Sequence, residues 1–429
     1  MRKVTDNFGL IVILVATAIF CSACGSNESS VNADSSIIKE SVDSESVSVL
    51  KEASADLDIS EPEPKAPYAD DYEYLWEVLR NTYPYLPYLE EQGVTVEDIY
   101  ASYEEKIKNI EDEDKFYLTI QGMLSELRNF AHLDVVSPEL YESYCYYTAL
   151  KEAVSYEDKA YHDVLTNNNL SERYVMPDSY EDFEKQAGTN QHNKIFIQYY
   201  SDCNTLYIRI PSFNQELINR DKNLISDSLE QYPDTEHIIF DITGNSGGSW
   251  EYWMNNLISP FGGHYKFTYR TFYKNSPEFE KYHGDLETDP ISELSDVPDW
   301  VSELDLDLCI TTTFNLPDKN IDGDEVDQKI ERWVLTSGNV FSASEAFTSF
   351  CKTSGWATIV GTKTSGDSLH TTPILVLLPD SGLIIRLSDG VGENPDGSIN
   401  AVSGTMPDIL CKKGETALGR CLELIRAGE

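Results

Sequence analysis

A glycine-rich loop in the middle of the chain has the composition of a backbone anion site. The apolar segment His237-Ile-Ile-Phe-Asp241 predicts a short buried strand, and Thr243-Gly-Asn-Ser-Gly-Gly-Ser249 follows it. Glycines let backbone N–H groups approach a ligand because no Cβ intervenes. The loop therefore suits an oxyanion or a phosphate. It lacks a following Lys-Ser/Thr and is not GxGxxG, so a nucleotide gains little support, and an ordinary turn is the alternative.

A serine-rich turn separates a second apolar strand from a helix. After the turn Ser337-Gly-Asn339 the chain reads Phe341-Ser-Ala-Ser-Glu-Ala-Phe347. A serine at this junction can present its hydroxyl beside the N–H groups of the helix N-terminus, which stabilise developing negative charge. Helix capping is the competing interpretation, and it is the ordinary role of a serine followed by a glutamate.

The elements around these loops follow an α/β order. Helical patterns are expected at 71–79, from Thr95 with a capping-box-like start, and from about Lys115, which together predict a small helical bundle to about residue 130. Strand and helix signals then alternate, with strands at 205–210, 237–241, 332–336 and 357–360 and a hairpin at 374–387.

Four ordered segments resemble one known family. They are Asp241-Ile-Thr-Gly-Asn-Ser-Gly-Gly248, Val334-Leu-Thr-Ser-Gly-Asn-Val-Phe-Ser-Ala-Ser-Glu-Ala-Phe347, Val360-Gly-Thr-Lys-Thr-Ser-Gly366 and Gly404-Thr-Met-Pro-Asp-Ile409. The set resembles the catalytic core of the tail-specific serine peptidases and of their tricorn-core and retinoid-binding relatives, over roughly residues 70–410. The resemblance implies an α/β (α+β) fold, with an N-terminal helical bundle followed by a ClpP/crotonase-like β-sheet core with flanking helices.

The resemblance also assigns the nucleophile and the oxyanion donors. The family's nucleophile falls on Ser342, and Ser344 is the less favoured serine. The oxyanion hole would consist of the backbone N–H groups of Ala343 and Gly247, with Gly248 as the alternative to Gly247. A nucleophile requires such donors near the attacked carbon.

The general base distinguishes two branches of the family. The position of the processing peptidases' lysine holds Asp367, and Lys363 is interpreted as a solvated turn residue. The tricorn-like branch uses a histidine from the helical segment, and His132 occupies that position. A neutral imidazole accepts a proton near neutral pH. His370 is the next candidate base, and a purely structural role at the helix end is the alternative for His132.

The third catalytic member is not assigned by the motif. Ala401 stands where the tricorn-like branch has a glutamate. Glu393 is the candidate third member, and Asp389 and Asp396 lie in the same segment.

Composition and the N-terminus indicate location and partners. The 429 residues carry a net charge of −42, which disfavours nucleic acid as a partner. An apolar run after Arg2-Lys3 ends at Ser22-Ala-Cys24, which resembles a lipobox and predicts lipidation of Cys24; an ordinary secretory signal is the alternative. Both interpretations predict an extracytoplasmic protein. Six further cysteines show no zinc-binding spacing, and their pairing stays open.

The predicted organisation has five segments. These are a lipoprotein signal peptide (1–23), a disordered acidic tether (24–67), an N-terminal helical domain (68–134), an irregular connecting region (135–204) and a peptidase-like catalytic core (205–429). The predicted function is that of a membrane-anchored serine peptidase that cleaves peptides or protein tails without cofactor or metal. The alternative is a catalytically weak or inactive relative that binds a peptide or a hydrophobic ligand.

Overall fold

The computed structural model describes residues 66–149, 153–176, 194–316 and 330–428. The predicted signal peptide, the lipidated Cys24 and nearly all of the predicted tether lie outside these residues. Within the described ranges, no helix has both the length and the apolar character needed to cross a bilayer. The six body cysteines, all in described segments, are free thiols.

The predicted N-terminal helices are present. The helices are α1 (Ala69–Asn81), α2 (Leu86–Glu91), α3 (Val96–Ile107) and α4 (Glu113–Glu126). Their apolar residues recur at helical spacing and are buried, as Leu75 and Leu79 of α1 illustrate. The capping box expected at Thr95 does not form, since its side chain caps nothing. Asp112 instead caps α4, accepting from the Lys115 amide at 3.0 Å.

The connecting region 135–204 is more regular than the sequence suggested. Strand β1 (Asp134–Val135) leads into α5 (Pro138–Ala149) and α6 (Tyr156–Leu165), and β2 (Phe196–Tyr200) precedes the core. A full capping box between Ser155 and Asp158 starts α6. The expectation of an irregular region was therefore wrong for these helices. Their buried face is formed by tyrosines such as Tyr141 and Tyr161, so the helical spacing of apolar residues is hard to recognise in the sequence.

A six-stranded sheet forms the centre of the core. Its strands lie in the order β13 (Ile409–Leu410), β9 (Thr358–Gly361), β8 (Glu331–Thr336), β4 (His237–Asp241), β3 (Thr205–Arg209) and β2. Every pairing is parallel except that of β3 with β2. In chain order the helix α7 (Ile218–Gln231) separates β3 (Thr205–Arg209) from β4 (His237–Asp241). Strand β4 and its neighbour β8 (Glu331–Thr336) end side by side, Asp241 opposite Leu335. The carboxyl ends of parallel strands are where such sheets bind ligands.

The segment between β4 and β8 builds a second sheet. It contains α8 (Trp250–Trp253), a π-helical turn (Met254–Ile258), β5 (Tyr265–Tyr273), α9 (Pro277–His283), β6 (Asp289–Pro290), α10 (Asp299–Glu303) and β7 (Leu308–Leu316). This sheet has the order β12-β5-β7-β6, in which β12 (Gly390–Gly392) comes from later in the chain. After β8 the chain forms α11 (Ala343–Ser354), β9 (Thr358–Gly361), β10 (Ile374–Leu377), β11 (Ile384–Leu387), β12 (Gly390–Gly392), α12 (Asn400–Ser403), β13 (Ile409–Leu410) and α13 (Ala417–Ala427).

A third, three-stranded sheet joins the helical segment to the catalytic core. Strand β1 pairs antiparallel with β11, which pairs with β10 as the predicted hairpin. Residues of α1–α4 and of this sheet share one continuous apolar cluster. The pairing sets Asp134 opposite Arg386, so it fixes the residues just before β1 beside those just after β11.

Candidate active site

Ser342 occupies a strained turn between β8 and α11. Its φ of 56° and ψ of −132° lie outside the regions that ordinary residues prefer. Its amide donates to the Gly366 carbonyl oxygen at 3.1 Å, which ties the turn to the segment containing Asp367. The Ser342 side chain is half-buried, and its hydroxyl makes no capping hydrogen bond to the amides of α11. Strain of this kind at a strand-to-helix turn is typical of functional positions.

Ser344, and not Ser342, has a structural role in this turn. It is completely buried, and its Oγ lies 2.7 Å from the Asn245 carbonyl oxygen and 2.8 Å from that of Phe341. The same oxygen accepts from the Phe341 amide at 3.2 Å. Ser344 therefore joins the serine turn to the glycine loop, and Ser342 is left as the accessible hydroxyl of the pair.

The glycine loop lies directly against Ser342. Gly247 and Gly248 have φ values of 115° and 130°. A Cβ on Gly247 would lie 2.8 Å from the Cβ of Ser342 and 3.1 Å from the Ala343 nitrogen. A Cβ on Gly248 would lie 2.3 Å from the Phe213 carbonyl oxygen. Glycine is thus required at both positions by the conformation and by the close approach of the two segments.

The donors of the predicted oxyanion hole are not equally free. The Gly247 amide already donates to Oδ1 of Asn245 at 2.8 Å. Among the described residues, no acceptor is hydrogen-bonded to the amide of Gly248 or to that of Ala343. The expectation that Gly247 supplies the second donor is therefore corrected in favour of its sequence alternative, Gly248, because Asn245 uses the Gly247 N–H to hold the turn.

His132 reaches this place through the pairing of β1 with β11. It follows the end of α4, has a φ of 55° and is 6% exposed. Its ring packs on that of Phe341, the neighbour of Ser342, with centroids 4.5 Å apart. Its Nδ1 is hydrogen-bonded, whereas Nε2 has no hydrogen-bond partner within the described part of the chain. Burial lowers the pKa of His132, so the ring favours its neutral form.

Asp367 contacts the predicted base directly. Its Oδ2 lies 2.6 Å from Nδ1 of His132, and its Oδ1 lies 3.0 Å from Nε2 of His370. Asp367 is 1% exposed and has a φ of 59°. Burial alone would raise the pKa of this carboxyl, but the two histidines outweigh burial and hold the pKa well below its usual range. Asp367 is therefore the carboxylate that orients His132. The sequence had identified it only as the residue at the position of the processing peptidases' lysine.

The candidate third member Glu393 lies elsewhere. Its two carboxylate oxygens accept from Arg270 at 2.6 and 2.8 Å, and its backbone bridges to Ile399. Asp389 accepts a hydrogen bond from His283 at 2.9 Å. Asp396 accepts hydrogen bonds from the amide and the hydroxyl of Ser398. The prediction of Glu393 was wrong, because the carboxylate that contacts His132 belongs to Asp367, which lies in a different turn.

Ser388 is a further site residue that the sequence did not indicate. Its Oγ lies 3.1 Å from Nδ1 of His132, 3.2 Å from Oδ2 of Asp367 and 3.3 Å from Nε2 of His370. Its amide donates to the Ala131 carbonyl oxygen at 3.0 Å, which fixes the turn that carries His132. A lone serine after a strand gives no sequence signal for this role. Lys363 is exposed, as expected of a turn residue.

Two histidines and one carboxylate of this network lie close enough together to be considered as ligands of a metal ion. Atoms of His132, Asp367 and His370 lie within 4.8 Å of one another. Each short contact is, however, the distance of an N–H donating to a carboxylate, and a metal would need a lone pair where each of those protons lies. We therefore assign no metal ligand here and interpret the group as a hydrogen-bonded network.

Glu345 supports the site from the first turn of α11. It is completely buried, and its Oε1 accepts from Asn400 at 2.8 Å and from Thr405 at 2.7 Å. Its Oε2 has no partner among the described residues. Burial raises the pKa of Glu345 to about 7. The glutamate therefore links the helix that begins after Ser342 to the segment around the Gly404 motif.

Comparison with known proteins gives a consistent fold. Residues 204–411 match the model of peptidase family S41. A putative peptidase from Parabacteroides merdae is 18% identical, with coverage of 84% of this chain and 97% of that chain and a TM-score of 0.51. Mature CPAF is 13% identical, with coverage of 85% and 98% and a TM-score of 0.51. The search of curated proteins gives no match. At these identities the structural likeness establishes the fold alone.

Proposed function

The chain belongs to peptidase family S41 through residues 204–411, and on that premise we propose that it cleaves peptides or protein tails by acyl transfer through Ser342. One observation carries the proposal. The accessible serine, the buried histidine and the buried carboxylate come from separate parts of the chain, yet all three have a positive φ, which side chains rarely adopt, with values of 56°, 55° and 59°. Each such residue costs about 1–3 kcal/mol, and that cost is typical of a site that the fold must hold in place.

The proposed reaction needs only groups of this chain. Nε2 of His132 accepts the Ser342 proton as Oγ attacks the substrate carbonyl carbon, while Asp367 holds the ring by its Nδ1–H. The amides of Ala343 and Gly248 stabilise the tetrahedral oxyanion. The imidazolium gives its proton to the leaving amine, and the acyl group stays on Oγ as an ester. A water molecule then attacks the ester carbonyl and gives a proton to Nε2 of His132, which returns that proton to Oγ of Ser342 as the acid product leaves. No cofactor takes part in this sequence.

Cleavage of a peptide mixture tests the proposal. Wild-type protein incubated with a mixture of short peptides should generate new termini that mass spectrometry detects. The Ser342→Ala protein should generate none, and Ser344→Ala measures what a serine loss costs when the residue is structural. Hydrolysis that persists in Ser342→Ala would refute the assignment of the nucleophile.

We also propose that the mature protein is held at the outer face of the cell membrane by lipid on Cys24. The support is the sequence Ser22-Ala23-Cys24 after an apolar run. Mass spectrometry of the native N-terminus should find a lipid-modified Cys24, and Cys24→Ala should release the protein from the membrane fraction. An unmodified N-terminus at another residue would contradict this anchoring.

The binding-protein alternative receives no specific support from the site. A relative that had lost its chemistry would be free to lose the serine, the base or the carboxylate, but here all three are present. The carboxylate contacts the base, and the Ser342 amide is hydrogen-bonded to the residue before the carboxylate.

A further inference from the structure

His370 is a second histidine on the carboxylate that orients the base. It lies three residues after Asp367 and is 7% exposed. Its Nδ1 faces the Thr371 carbonyl oxygen, and its Nε2 lies 3.0 Å from Oδ1 of Asp367. Carbonyl and carboxylate oxygens only accept hydrogen bonds, so both ring nitrogens must donate. A histidine that donates from both nitrogens is an imidazolium cation.

The two histidines that share Asp367 therefore differ in charge. His132 needs a single proton, on Nδ1, because its Nε2 has no hydrogen-bond partner among the described residues. His370 needs two. The rings lie nearly perpendicular, with centroids 6.0 Å apart. Burial disfavours both cations, but Asp367 outweighs burial at His370 and raises its pKa, whereas the pKa of His132 stays lowered.

The other charged groups around His370 are consistent with its positive charge. Asp389, from the turn after β11, also raises the pKa of His370. Asp389 is paired in turn with His283 of α9, whose Nε2 lies 3.4 Å from the Thr371 hydroxyl. Arg386, on the side of His132, lowers the pKa of that ring. The neighbouring Tyr83 and Tyr85 have pKa values raised by burial, and both stay neutral.

We propose that His370 is a positioning residue of the hydrolytic site: as an imidazolium it holds Asp367 by an ion pair and offsets its charge, so that His132 remains a neutral base whose Nε2 carries no proton. The inference rests on the proposed function of Ser342 and His132. A carboxylate without a second cation would favour the protonated ring of His132. The enzyme would then need a higher pH to have its base in the neutral form. A carboxylate paired with His370 still accepts the Nδ1–H and orients the ring, but it stabilises the protonated form of His132 less.

The size of the effect follows from the distance between the rings. A unit charge 6.0 Å from His132, at an effective dielectric constant of about 20, changes the pKa of its ring by about two units. His370→Gln removes the charge and keeps an N–H donor for Asp367. The acid limb of kcat/KM should therefore move to higher pH by about one to two units.

Matched variants separate charge from structure. His370→Lys keeps a cation and should keep the limb near its wild-type position. His162→Gln, at an exposed position on α6, should leave the whole profile unchanged. If His370→Gln lowers kcat/KM equally at every pH and leaves the limb in place, His370 is only structural and the proposal is overturned.

A measurement without turnover tests the charge itself. In protein labelled with ¹⁵N-histidine and carrying Ser342→Ala, the signals of His370 are assigned by comparison with single-histidine variants. Near pH 7 both of its ring nitrogens should have shifts of protonated imidazolium. A neutral tautomer at that pH would overturn the proposal. An imidazolium signal together with a wild-type protein that hydrolyses nothing would instead refute the proposed function.

Discussion

Nδ1 of His132 lies 2.6 Å from Oδ2 of Asp367, although 235 residues separate them in the chain. The contact forms because β1 pairs with β11 on one side and the Gly366 carbonyl binds the Ser342 amide on the other. The turns that carry His132 and Ser388 thus meet at the carboxylate of Asp367. Asp367, at the position that would hold the lysine of processing peptidases, is hydrogen-bonded to the candidate base His132.

Asp367→Asn should separate the orienting carboxylate from the candidate that the sequence favoured. An asparagine stabilises neither the correct tautomer nor the imidazolium of His132, so kcat should fall by about 10³- to 10⁴-fold. Glu393→Gln should keep kcat close to wild type, because Glu393 pairs with Arg270 and not with His132. Steady-state kinetics on folded protein compares them. A larger loss in Glu393→Gln than in Asp367→Asn would reverse the assignment.

Gly247→Ala should disable the site through backbone geometry. Its Cβ would lie 2.8 Å from that of Ser342, in a conformation with a φ of 115° that side chains avoid. A displacement of about 1 Å at the reacting groups costs about 100-fold or more in rate. Gly244→Ala is the matched control, since its Cβ would have no neighbour closer than 3.9 Å. Equal rates in the two variants would show that the glycine loop is not part of the site.

Glu345 should make stability depend on pH. Its pKa rises from 4.5 in the unfolded chain to about 7 in the folded protein. The folded protein therefore retains the proton, and this contribution to stability is complete below pH 4.5 and is lost as pH rises through 7. The shift corresponds to roughly 3 kcal/mol.

Urea unfolding from pH 5 to pH 8 measures this contribution. Glu345→Gln does not titrate, so its free energy of unfolding relative to wild type should increase over that range. The difference between the two proteins removes the general effect of the acidic surface, which both share. A pH-independent difference would contradict the buried, protonated glutamate.

The sequence predicted the core better than the site. Runs such as His237–Asp241 become buried strands because their apolar residues leave few alternatives. The ordered motifs proposed Ser342, and the family resemblance proposed His132. The contacts of Asp367 and Ser388 depend on which turns meet in three dimensions, and neither local spacing nor composition encodes that. The helices in 138–165 were missed because their buried aromatic residues hide the apolar period.

Covalent labelling of Ser342 by a fluorophosphonate tests the central claim most directly. Peptide mapping should find the adduct on Ser342 of the wild-type protein. It should be absent from Ser342→Ala and form at least about 100-fold more slowly in His132→Asn, since general-base catalysis contributes about 10²- to 10⁴-fold. A wild-type protein that stays unlabelled, or a His132→Asn protein labelled at the wild-type rate, would contradict a serine activated by His132.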